Sequence, residues 1–159
     1  MDLKFSFNGG SSDGDAHDHG HATGAPAAQG IPLPFTTGPS STSSVLEIQV
    51  RREPAALVAE AVSGDGVTYA RAQVADSGGV LAGTVRSAIS RAVAELEGPL
   101  SEAVTGITIA VGDEGPDVIA TLFPTARESE NGAVEFVTDD AFQRRTGVSA
   151  GTPVTLASA

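Results

Sequence analysis

From Val80 to Glu97 the apolar residues fall three and four apart. Leu81, Val85, Ala88, Ile89, Ala92 and Leu96 lie on one face of a 3.6-residue period. Arg86, Ser90, Arg91 and Glu95 occupy the other face, with Arg91 and Glu95 one turn apart. The spacing predicts one main helix over 80–97. Ser77 is its expected N-cap, and Gly98-Pro99 is its expected stop. The Ala-rich apolar face predicts close approach to a sheet.

Elsewhere the period drops to two. Residues 45–51 alternate, with Leu46, Ile48 and Val50 against Val45, Glu47, Gln49 and Arg51. Residues 55–63 and 67–75 read as two further strands joined at the hairpin turn Gly64-Asp65-Gly66. After the helix, 100–104 reads as one more helical turn and 106–111 as a strand. Residues 112–116 read as a turn and 117–123 as the partner strand. Residues 124–132 read as a polar loop and 133–137 as a short strand. Thr138 is the expected N-cap of a short second helix, 139–146. Asp139 and Asp140 stand at its start and Arg144 and Arg145 at its end, matching the helix dipole. Gly147 ends that helix, and 153–157 closes the chain as a strand. The expected fold is α+β: a small, mostly antiparallel sheet packed against the main helix and the short one.

The first 44 residues differ. Gly, Ser, Thr, Pro, Ala and His dominate them, in runs such as GGSSDGD and TTGPSSTSS. Such a composition buries too little apolar surface to offset its own ordering entropy. The expected organisation is therefore an extended low-complexity arm, 1–44, before one α+β domain, 45–159. Two apolar islands interrupt the arm. In 2–7, Leu3, Phe5 and Phe7 alternate with polar residues and form one strand face. In 31–35, two prolines impose an extended path that carries Ile31, Leu33 and Phe35. Three of the six phenylalanines of the chain lie in this arm, which a purely solvated linker does not explain. These six residues are the candidate partner-binding set, by strand addition and by filling a groove, either on their own domain or on a neighbour.

Composition narrows the chemistry. A net charge of −11 argues against nucleic acid and against an anionic membrane surface as partners. There is no cysteine, hence no disulfide and no thiolate site. No basic and apolar leader opens the sequence, and no apolar run reaches the roughly 18 residues of a membrane span. The expected location is the cytoplasm or an assembled particle. From Val45 onward there is also no His and no Lys, which removes the usual general base and Schiff-base amine. Sixteen acids are dispersed through that part without a marked pair.

Two clusters carry candidate metal chemistry. His17, His19 and His21 stand at every second position beside Asp15, a donor set that suits Zn, Ni or Cu. The same imidazoles would also gain charge near pH 6.5, making a pH-responsive arm. Asp113, Glu114 and Asp117 offer oxygen ligands to Ca or Mg, without the ligand count of an EF-hand loop.

The C-terminal run 141–158, AFQRRTGVSAGTPVTLAS, resembles the helix, Gly, apolar residue, Gly and strand sequence of double-psi and cradle-loop barrels. It also resembles the TG-x-x-x-GTPV phrase of sugar kinases of the actin-like fold. Each resemblance covers under twenty residues. The strand that begins at Val45 lacks the Asp and the Gly-Thr turn with which such a kinase would hold phosphate. The expected function is a non-enzymatic structural or assembly subunit, a homo-oligomer or a component of a large complex such as a phage head-decoration or tail protein. The alternatives are a metal-binding accessory protein using the histidines and a carboxylate-based or cation-dependent enzyme.

Overall fold

Alternation drives three consecutive strands together at the start of the domain: β1 (Leu46–Glu53), β2 (Ala56–Ser63) and β3 (Thr68–Ala75). The computed structural model describes residues 40–158. β1 and β2 form a hairpin across Pro54-Ala55, with Leu46 opposite Ser63 and Glu53 opposite Ala56. β2 and β3 form the expected second hairpin, with a register shift between Ala61 and Val62. Helix α1 (Leu81–Ala94) follows, then a 3-10 segment, Gly98–Ala103, in place of the single helical turn.

The chain then lays β4 (Gly106–Ala110) alongside β1 in parallel and builds α2 (Gly115–Leu122). It continues through β5 (Ala126–Glu128), β6 (Val134–Val137), α3 (Asp140–Thr146) and β7 (Pro153–Leu156). The seven strands form one sheet in the order β3-β2-β1-β4-β7-β6-β5.

The sheet is mixed. β4 pairs parallel to both β1 and β7, while the remaining pairs are antiparallel. Both parallel pairs join strands separated by a helical crossover, the connection that parallel strands require.

Burial alternates along β1: Leu46, Ile48 and Val50 are buried, and Gln49 is exposed. Leu57, Ala59 and Ala61 of β2, Ala70 and Ala72 of β3, and Ile107 and Ile109 of β4 complete the same face. Val85, Ala88, Ile89 and Ala92 of α1 pack on it. The alanines admit close helix-sheet contact, and burying Val85 or Ile89 contributes roughly 1.5–3 kcal/mol each. α2 and α3 flank α1 on that side.

Five local expectations are corrected. Residues 117–123 do not form a strand; they lie in α2 and its C-cap, Phe123. Val118, Ile119, Leu122 and Phe123 recur at helical spacing, and Pro116 sits in the first turn, where its missing N–H costs nothing. The strand at 106–111, which 117–123 was expected to partner, pairs instead with β1 and β7, and β6 pairs with β5, inside the stretch expected to be a loop. Ser77 does not cap α1: the N-cap is Val80, with no side-chain bond, and Gly78 at φ 72 carries the chain toward it. α1 also stops at Ala94, although Leu96 beyond it remains buried. Thr138 does not cap α3 either. Asp139 does, its Oδ1 accepting from the Phe142 N–H at 2.7 Å.

Candidate functional site

The partner-binding candidates Leu3, Phe5, Phe7, Ile31, Leu33 and Phe35, and the metal candidates His17, His19 and His21, lie outside the described residues. Asp113 and Glu114 sit in a 3-10 turn leading into α2, and Asp117 is in the first turn of that helix. All three are exposed. The Glu114 carboxylate is held by Arg52, which reaches Asp76 at 2.8 Å with its other nitrogen. Among the described residues no three His, Cys, Asp or Glu side chains gather as a metal site. Among them, too, no helix is long and apolar enough to cross a membrane.

Charge is sorted by face, a feature that the sequence conceals. The sheet face away from α1 carries Glu47, Arg51, Glu53, Glu60 and Arg71. The Arg51 guanidinium holds Glu60 and lies 3.6 Å from Glu53. Arg71 reaches Glu53 at 3.5 Å and Glu60, its cross-strand partner, at 3.4 Å. Glu47 accepts from the Thr108 hydroxyl. The Arg51 hydrogen bond is the main cause that holds the Glu60 carboxyl below its ordinary value, reinforced by the charges of Arg51 and Arg71 and opposed by burial. The same pairing raises Arg51 above its ordinary value. Asp65, in the β2–β3 turn, is likewise lowered by hydroxyl donation from Ser41 and Ser63.

The arginines of α1 and α3 differ from those of the strands. The domain has eight arginines. Arg51, Arg52, Arg71 and Arg127 each pair with a carboxylate. Arg86 and Arg91 of α1, and Arg144 and Arg145 of α3, form no ion pair among the described residues. Arg86 and Arg145 converge on a cleft of about 460 Å³ that has apolar walls from Val80, Leu122, Pro124 and Phe142 and is lined by Asp139 as well. A second depression of about 240 Å³ continues it along α1 to Arg91. The position of α3 over α1 is fixed in part by Ser90, whose hydroxyl donates to the Arg145 carbonyl at 3.3 Å.

The sheet has two outer strands among the described residues, β3 and β5. β3 is eight residues long, with Thr68, Arg71, Gln73 and Ala75 exposed. β5 is three residues long and fully exposed.

The TG-x-x-x-GTPV phrase is accounted for by local structure. Thr146 donates from its hydroxyl to the Phe142 carbonyl at 2.9 Å, and Gly147 closes α3 in the left-handed region at φ 84. Gly151 takes φ 83, Thr152 ties the loop to Thr138, and Pro153-Val154 opens β7. These bonds satisfy the phrase from within the chain. Comparison of the chain with family models, with curated proteins and with solved structures returns no match.

Proposed function

We propose that this protein is a non-enzymatic assembly subunit, whose domain occupies a repeating position in a larger complex and whose arm, 1–44, ties it to neighbouring copies. The observation that carries the reading is the edge of β3, an outer strand of the sheet among the described residues. An eight-residue outer strand offers a row of backbone donors and acceptors for an added strand. The alternating segment 2–7 has the period and the apolar face that such addition uses. The sugar-kinase resemblance does not favour catalysis: the β1–β2 connection, Pro54-Ala55, has neither the glycine nor the hydroxyl of a phosphate-holding turn.

Deleting residues 1–44 tests the proposal. The shortened protein should keep its circular dichroism spectrum and cooperative unfolding, and should lose the higher mass that the full chain shows by light scattering. Normal association of the arm-less protein would sink the idea. Titration with Zn or Ni separates the accessory-protein alternative. Micromolar binding that disappears when His17, His19 and His21 are replaced would favour it.

A further inference from the structure

The chain carries two surfaces that complement each other. One is the α1–α3 groove, where Arg86 and Arg145 meet apolar walls from Val80, Leu122 and Phe142. Val80 at its lip is 77% exposed. Two guanidinium groups from different helices converge there and, among the described residues, neither forms an ion pair, although Asp139 also lines the cleft, in a chain of net charge −11. Four other arginines of the same domain have all found acids, so acids are not scarce. Asp139 in the lining is engaged as the cap of α3, so the two guanidinium groups stay open to a further anion.

The other surface is the β5–β6 hairpin at the far edge of the sheet. Arg127 is used within it, pairing with Glu135 at 2.9 Å on one face. The opposite face carries Glu128 directly across from Val134, with Phe136 next along the strand. Val134 is 73% exposed and Phe136 38%. Glu130 lies at the tip, which Gly132 closes through an N–H bond to the Ser129 carbonyl at 2.8 Å. The hairpin therefore presents two carboxylates, unpaired among the described residues, beside exposed apolar side chains.

We propose that the α1–α3 groove of one copy receives the β5–β6 hairpin of a second copy. Glu128 and Glu130 would meet Arg86 and Arg145, and Val134 would meet the apolar wall. The contact joins two different patches, so it is heterologous and propagates into a ring or a filament. This rests on the assembly reading for the identity of the partner as another copy, but it does not involve the arm. The net charge opposes approach at long range, so the contact works by local complementarity and should weaken as salt screens it.

Complementary charge reversal tests it on the full chain. Arg86→Glu with Arg145→Glu makes both surfaces acidic, and Glu128→Arg with Glu130→Arg makes both basic. Light scattering over a concentration series at low salt should show association of the unmodified chain. Each double variant alone should need at least about tenfold more protein to associate. An equimolar mixture of the two variants should recover association, because each then offers the charge that the other lacks. Unchanged circular dichroism spectra exclude misfolding as the cause. The inference is overturned if either variant associates like the unmodified chain, or if the mixture stays apart. Loss of assembly on arm deletion with both charge variants normal would overturn this contact and leave the arm standing. The reverse pattern would overturn the arm and leave this contact.

Discussion

Thr138 and Thr152 hold each other from both directions. The Thr138 N–H donates to the Thr152 carbonyl at 3.0 Å, and the Thr138 hydroxyl accepts from the Thr152 N–H at 2.9 Å. The Thr138 hydroxyl also donates to the Ser149 carbonyl at 2.6 Å, a carbonyl that the Thr152 hydroxyl shares at 2.7 Å. Both residues are buried, so these groups have no water to fall back on. The pair clamps the entry of α3 to the loop that leaves it, and so fixes where β6 ends and β7 begins.

Replacing Thr138 by Val keeps the branched shape and removes the hydroxyl. The buried Thr152 N–H then loses its nearer acceptor and keeps only the Ser149 carbonyl at 3.4 Å, which should cost about 1–3 kcal/mol. The denaturant midpoint should fall with an unchanged slope. Thr138→Ser should recover most of the loss. A Val variant as stable as the parent would show that the clamp contributes nothing.

Gly147 allows a comparison between backbone strain and crowding. Its φ of 84 penalises any side chain, and a Cβ there would come within 3.2 Å of Val93 Cγ1. Gly66, at φ 85, has nothing within 4 Å of the same position. Gly66→Ala should therefore lose only the conformational part, about 1 kcal/mol. Gly147→Ala should lose more, and the excess should shrink in a Val93→Ala background. Equal losses at the two glycines would mean that α3 shifts freely off α1.

The main helix, the first three strands, β4, β6, α3 and β7 were legible because each carries a sustained period and a turn signal at its ends. α2 was not. In DVIATLF a run of apolar residues too short to reveal its period fits a strand or a helix, and Pro116 suits a turn before a strand as well as the first turn of a helix. β5 has no apolar pattern at all; it is a strand because β6 lies beside it. Parallel pairing of β1, β4 and β7 leaves no mark in a two-residue period. The charge sorting was hidden for a similar reason. Arg51 and Arg86 look alike in sequence, yet the sheet brings Glu60 into an ion pair with the first, while the second forms none among the described residues.

The Glu60 cluster sets a pH dependence. Its carboxyl is lowered from its ordinary 4.5, so the folded state favours the ionised form. The resulting stabilisation is present above the ordinary value and is lost as pH falls through the lowered one. Glu60→Gln should cost about 1 kcal/mol near neutral pH, the scale of a partly exposed ion-pair network. The gap between the two proteins should close progressively in acid below about pH 4.5. A gap that stays constant down to acid unfolding would assign the effect to shape rather than charge.

Phe123 and Phe142 provide the last test, at the point where α2 meets α3. Their ring centroids are 4.8 Å apart with planes tilted by 51°, and both residues are buried. The Phe123 N–H makes the last helical bond of α2, to the Ile119 carbonyl at 2.8 Å, so the ring is set by the helix end. Phe123→Ala should cost about 3–5 kcal/mol through the cavity it leaves. Phe142→Ala should cost a similar amount, and the two changes together should cost less than their sum by about 0.5–1.5 kcal/mol, the worth of the ring pair. Strictly additive losses in denaturant unfolding would show that the rings pack independently and that α2 and α3 are not coupled through them.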